Sequence, residues 1–192
     1  MIYSSVLAAV VSALAAEAID NTSKQAWQEL YQPGSEDGHD LATLSRSVEQ
    51  GGVTRMDADC WVFARLHSLL KPRHWDVLVA KFSTHKGRKV QSIGRLQPLV
   101  ASHAPSLFIV SAVTAWAIPK LKGADGKRSS DMIVLPVEFY DINRWDPEAR
   151  PERTRRRWKK GIEDLLEEMV TEALEAAAVI LDYEGLAMKN AA

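Results

Sequence analysis

With 192 residues, 46% of them hydrophobic, the chain can bury one substantial core, and a charged fraction of 26% with a net charge of −1 excludes the low-hydrophobicity, high-charge class of disordered chains. It is read as a single helical domain over 1–192. The one cysteine, Cys60, excludes an intramolecular disulfide and a multi-cysteine zinc site, and the expected compartment is the reducing cytoplasm.

Residues 1–50 form the expected N-terminal helical part. The apolar run 6–19 is interrupted by Ser12 and Glu17 and has no basic residue before it, so it reads as a buried helix rather than a targeting segment or a membrane anchor. A short helix over 26–31 stops at Pro33-Gly34, and 32–40 is a loop. No membrane partner is expected.

A helical core is predicted over 54–118. Thr54, followed three residues later by Asp57, resembles a capping box, and the apolar positions Met56, Trp61, Phe63, Ala64, Leu66 and Leu70 carry the helix to Lys71-Pro72. Pro72 suits the first turn of the next helix, where Trp75, Leu78, Val79 and Phe82 fall at i, i+3, i+4 and i+7. A further helix is expected over 88–101. Pro105 then opens one over 106–118, apolar nearly all round and so expected at the centre of the core.

Over 65–95 the basic residues Arg65, Lys71, Arg73, Lys81, Lys86, Arg88, Lys89 and Arg95 are interrupted by a single acid, Asp76. Ser83, Thr84 and Gly87 make 81–89 a plausible backbone clamp, and Lys81, Lys86, Arg88 and Lys89 are candidate contacts to nucleic acid. Solubility and snorkelling side chains account for the same pattern. An exposed basic loop follows at 119–135, adding Lys120, Lys122, Lys127 and Arg128 to those candidates. Gly126-Lys127 is not a phosphate loop, because the spacing from Gly123 is too short and no serine or threonine follows the lysine.

The last helix is expected over 150–184, with Gly185 as its C-terminal cap. Trp158, Ile162, Leu165, Leu166, Met169, Ala173 and Ala177 form one apolar stripe. Arg153, Arg156, Arg157 and Lys160 fall on the opposite face, with Arg155 and Lys159 nearer the stripe's edges. Acids dominate from Glu163 onward. Cations in the first turns oppose the helix macrodipole at roughly 0.3–1 kcal/mol each, and the i, i+4 pairs Arg153/Arg157 and Arg156/Lys160 repel. That unfavourable order suits a helix end that faces phosphate or base edges, as the first part of a recognition helix does, with Arg153, Arg156, Arg157 and Lys160 projecting together. A solvated face or an acidic protein partner are the other readings.

Arg55, the acidic pair Asp57 and Asp59, Ala64-Arg65-Leu66, Leu70, Trp75, Leu78-Val79 and the arginine-rich last helix together resemble the Q-type transcription antitermination factors of lambdoid phages, in their cysteine-poor, AlpA-like branch without a zinc finger. The resemblance covers about 52–82 and 150–185. It implies an all-α fold with a long C-terminal helix and a helix-turn-helix like region 4 of a primary sigma factor, here expanded or built from different helices because 106–150 is too long for a minimal turn. It also implies a phage-like positive regulator that binds DNA near a promoter and engages paused RNA polymerase with its primary sigma factor. Such a factor stays by the nascent RNA, lets transcription read through terminators, and so activates late or lysis genes. If the resemblance carries over, Arg153, Arg155, Arg156, Arg157, Lys159 and Lys160 would contact double-stranded DNA, the cations of 81–89 and 119–135 would reach nucleic acid or polymerase, and Trp158 would anchor the last helix in the core. The alternative is a simple helix-turn-helix transcription regulator that does not travel with polymerase.

Catalysis finds little footing. His39, His67, His74, His85 and His103 show no metalloprotease spacing, there is no Gly-x-Ser-x-Gly elbow, and Cys60 beside Trp61 reads as an inert buried thiol. Asp57 and Asp59 fit a helix's first turn. The chain is therefore read as no enzyme, with no catalytic residue, cofactor or metal.

Overall fold

The computed structural model describes residues 3–15, 55–120 and 133–183. The expected short helix at 26–31, the loop at 32–40, His39, Thr54, Gly185 and the loop cations Lys122, Lys127 and Arg128 lie outside the described residues. What is described is all-α: helix α1 over 6–15, α2 Arg55–Leu69, α3 Pro72–Phe82, α4 Lys86–Leu96, α5 Ser106–Ala117 and the long α6 Glu152–Tyr183, with short 3-10 turns at Gln97–Leu99, Val137–Tyr140 and Ile142–Arg144. Among the described residues no helix is long and apolar enough to cross a membrane.

Each helix starts and stops for a local reason. Lys71 leads into α3 with extended backbone, and Pro72 takes a first-turn position where its missing N–H costs nothing. Ser83 turns extended and closes α3 with its N–H on the Val79 carbonyl. For α4 the cap is His85, whose Nδ1 accepts from the Arg88 N–H at 3.3 Å. The helix therefore begins at Lys86, not at residue 88, and it ends at Leu96 instead of 101 because Pro98 enforces a 3-10 turn.

The stripe predicted for the last helix is the one that packs: Ile162, Leu166, Met169, Ala173 and Ala177 are buried, joined by Val170 and Leu181. Phe108 stands edge-on to Trp158 at 5.5 Å, and Trp116 Nε1 donates to Glu167 Oε1 at 2.9 Å, so α5 and α6 run in the same direction. Arg73 pairs with Glu172 at 2.8 Å and Lys81 pairs with Glu167, so α3 runs against α6. Trp158 is half-buried in this contact, between Phe108 and the Arg150 guanidinium.

The enclosed helix of the bundle is α3, not the 106–118 helix expected at the centre. Every residue from His74 to Ala80 is buried, whereas α5 leaves Leu107 and Val110 exposed. Sequence pattern conceals this because two of the enclosed residues are polar. Asp76 accepts from Ser92 Oγ at 2.8 Å and from Arg95 Nη1 at 3.4 Å, and His74 Nε2 accepts from Arg73 Nε at 3.2 Å. Such partners offset the cost of burying Asp76, whereas His74 Nδ1 is buried with no hydrogen-bond partner among the described residues.

A second polar clamp holds α1 on α2. Asp59 is buried, and its two oxygens accept from Tyr3 at 2.6 Å and from Ser12 at 3.0 Å. Burial and the Asp59 hydrogen bond push the Tyr3 phenol well above its ordinary range. Cys60, expected to be buried, is exposed, because Ala58, Asp59, Val62 and Leu66 occupy the inward face of α2.

Candidate nucleic-acid interface

Two eleven-residue helices, α3 and α4, are joined by Ser83, Thr84 and His85 alone. The turn is built from its own side chains. Ser83 is buried and its Oγ accepts from the His85 N–H at 3.1 Å, while His85 in turn caps α4. Two further contacts fix one helix against the other: the Asp76 carboxylate across to Ser92 and Arg95, and Lys89 Nζ, which donates to the carbonyls of Lys81 at 3.1 Å and Ser83 at 3.3 Å. Lys89 thus lies on the negative end of the α3 dipole and satisfies carbonyls that the helix leaves open.

That position takes Lys89 out of water, and burial lowers its ammonium to a pKa of about 8 from 10.5. Between those values the native protein binds fewer protons than the unfolded chain, so this group adds stability as pH rises from about 8 toward 10.5. In paired denaturant titrations, the stability of the wild type relative to Lys89→Met should climb across that window and stay flat below it. A constant difference across the window would show that Lys89 is not desolvated.

The four central candidates of the basic region therefore divide. Lys81 is held by Glu167 and lies 5.2 Å over the Trp116 ring, so it serves packing of α3 on α5 and α6. Burial raises the Glu167 carboxyl, but hydrogen bonds from Lys81 and Trp116 outweigh it and leave the pKa below its ordinary value. Lys89 is the helix cap just described, not a surface cation. Arg88 stacks 5.1 Å over Phe63, and Lys86 is exposed at the start of α4. As a whole α4 carries four cations, Lys86, Arg88, Lys89 and Arg95, and no acid.

The six candidates on α6 also divide. Arg153, Arg157 and Lys160 are exposed, and among the described residues no acid pairs with them. Arg156 is exposed but pairs with Glu152 one turn earlier. Lys159 pairs with Glu163 at 3.7 Å and sits 5.7 Å over the Trp145 ring. Arg155, placed at the edge of the stripe on the helical wheel, is buried, and its Nε has no hydrogen-bond partner. Its i+7 relation to Ile162 puts it on the packed face, so in this fold it is not presented to DNA. Lys120 is exposed just after α5.

No helix approaches α6 through a short turn, since α5 ends at Ala117 and α6 begins at Glu152. The intervening chain is tied down at Asp146, whose carboxylate accepts from the Glu148 and Arg150 N–H groups at 3.2 and 2.9 Å and from the Arg150 guanidinium at 2.9 Å. Ala149 takes a left-handed conformation there, with φ 48°. Short-turn helix pairing is found at α3 and α4, where the sequence suggests two core helices with a backbone-clamping loop between them at 81–89. The signal was available in the three polar residues between Phe82 and Lys86.

Three further titratable groups, His67, Asp59 and His74, have structural partners. His67 packs edge-on to Trp75 at 4.9 Å, and Asp59 and His74 are engaged as above. Among the described residues, no group of three His, Cys, Asp or Glu side chains converges as a metal site. Compared with known proteins, the chain matches no family model, no curated protein and no solved structure.

Proposed function

We propose that the protein is a DNA-binding transcription antitermination factor, which loads onto paused RNA polymerase near a promoter and allows readthrough of terminators. The observation that carries the DNA-binding part is the α3–α4 pair: two helices linked by three residues, the second with four cations and no acid. A second helix of that kind enters the major groove in helix-turn-helix proteins. Arg153, Arg157 and Lys160 supply phosphate contacts from the first turns of α6, in keeping with their unfavourable position on the helix dipole.

The polymerase-directed part rests on the resemblance carried by Asp57, Asp59, Ala64-Arg65-Leu66 and the arginine-rich last helix. RNA polymerase with its primary sigma factor is the protein partner, and nascent RNA the neighbouring nucleic acid. The compact turn between α3 and α4 equally suits a simple regulator that stays at its operator. The two readings separate in one experiment. Binding to promoter-region duplex DNA is measured at several salt concentrations, and transcription through a downstream terminator is followed with the same protein. Steeply salt-dependent binding with readthrough supports antitermination, binding without readthrough supports the simple regulator, and absence of binding at low salt removes both.

A further inference from the structure

Three features that carry positive potential meet at one end of the bundle. The first is Arg155, which is only 9% exposed. Its Nε is fully buried without a hydrogen-bond partner, and among the described residues no carboxylate or carbonyl engages any part of its guanidinium. The buried carboxylates, by contrast, are all satisfied: Asp59 by Tyr3 and Ser12, Asp76 by Ser92 and Arg95, and Asp146 by Glu148 and Arg150. A buried charge left without a partner is among the costliest arrangements a folded chain can hold.

The other two features are helix starts. The register set by Phe108 against Trp158 and by Trp116 against Glu167 puts Arg155 level with Pro105, so α5 and α6 begin side by side. Each is preceded by a proline whose carbonyl takes the first helical bonds, from Ile109 in α5 and from Thr154 and Arg155 in α6. A proline side chain has no acceptor, and among the described residues no other side chain caps either start. The N–H groups of Ser106, Leu107 and Phe108, and those of Glu152 and Arg153, are thus open at two positive dipole ends. Side chains in a helix lean toward its N-terminus, so Arg155, the fourth residue of α6, reaches back over that open turn. It does so on the side facing α5, where Trp158 one turn further on meets Phe108.

The acids close by are committed elsewhere. Asp146 and Glu148 pair with Arg150, Glu152 turns outward to Arg156, and α5 has no acid in its first turn. We propose that the shared N-terminal end of α5 and α6 binds one tetrahedral oxyanion of the phosphate type, held by the Arg155 guanidinium and the open N–H groups of the two helix starts. The planar fork of a guanidinium fits two oxygens, as carboxylates and phosphates both offer. The N–H groups of two helix starts approach from other directions, which a tetrahedral anion can satisfy together and a flat carboxylate cannot. The Nη atoms, unlike Nε, are not fully enclosed, so the guanidinium is reached from solvent only at its tip. A free or terminal phosphate fits such an opening better than the backbone of a duplex lying along the surface. This inference is independent of the DNA-binding reading.

The test follows thermal unfolding of the full chain in inorganic phosphate, against chloride at matched ionic strength and pH. Wild type should melt roughly 3–6 °C higher at a phosphate concentration about ten times the dissociation constant, because an anion that binds only the native state stabilises it by mass action. Arg155→Met should melt as high as wild type or higher in chloride, since it removes an unpaired buried charge, and should gain nothing specific from phosphate. The Arg153, Arg157 and Lys160 triple alanine variant should keep the wild-type response, which general screening of surface cations would not allow. In the wild type, the Arg155 Nε–H magnetic resonance signal should move on titration with phosphate. Tighter binding of a nucleoside 5′-monophosphate than of inorganic phosphate would support a nucleotide's terminal phosphate as the ligand, and equal affinity would support the free anion.

Wild type that melts alike in phosphate and in chloride overturns the inference. So does an Arg155→Met chain that keeps the phosphate response, or a triple variant that loses it. Should Arg155→Met fail to fold, the wild-type melting and resonance decide the matter, and an Nε–H signal that phosphate leaves in place overturns the site.

Discussion

Alanine at Arg153, Arg157 and Lys160 together should lower affinity for duplex DNA by roughly 100- to 500-fold at about 0.1–0.15 M salt, with no loss of thermal stability. The size follows from counterion release: each phosphate contact contributes about 0.9 to the slope of log K against log salt, so removing three lowers the slope by about 2.7. All three side chains are exposed and unpaired among the described residues, and they lie in the first turns of α6, where a cation opposes the dipole. The melting temperature should therefore hold or rise slightly. Arg156→Ala should have a smaller effect than Arg157→Ala, because Arg156 is already neutralised by Glu152. A triple variant that keeps the wild-type salt slope and melting curve would show that this face does not touch DNA.

Replacing Asp76 by alanine should act through the opposite route, by loosening the helix pair from inside. The carboxylate is buried and, among the described residues, is the group that ties Ser92 and Arg95 of α4 to α3 through hydrogen bonds. Its loss leaves the buried Ser92 hydroxyl without its acceptor, and cuts a charge-assisted contact. Arg95 is largely exposed, so water screens its share, and about 2 kcal/mol is the expected cost of the substitution. For a chain of this length that is a fall in melting temperature of roughly 4–8 °C. DNA affinity should fall even at temperatures where the variant is folded, since one of the two contacts that fix α4 against α3 is gone and only Lys89 remains. Native affinity with native stability would show that Ser92 and Arg95 need no such partner.

The helices were legible in the sequence because their signals are local. Pro72 at a first turn, the i, i+3, i+4, i+7 series from Trp75 to Phe82, and the apolar stripe of the last helix each depend on residues within two or three turns. What escaped depended on distant residues or on residue type overriding position. Asp59 and Asp76 look like surface acids until Tyr3, Ser12, Ser92 and Arg95 arrive from elsewhere in the chain. Histidine is outside the usual set of N-cap residues, so the start of α4 was placed two residues late. Cys60 was judged by its neighbour Trp61 rather than by the helical spacing of Val62 and Leu66, which turns it outward.

The candidate site shows the same division. That 153–160 and 81–89 are rich in cations is plain from sequence, but which cations remain available is set by tertiary pairing. Glu167 engages Lys81, the end of α3 engages Lys89, Glu163 and Trp145 engage Lys159, and the packed face of α6 takes in Arg155.

The most direct test is transcription in vitro by purified RNA polymerase holoenzyme from the promoter upstream of this protein's own coding sequence, with a terminator downstream, with and without the protein. Readthrough should rise when the protein is added, should require the promoter-region DNA, and should be lost in the Arg153, Arg157 and Lys160 alanine variant. Unchanged termination, under conditions where the protein occupies that DNA, would contradict antitermination and leave a DNA-binding regulator that does not travel with polymerase.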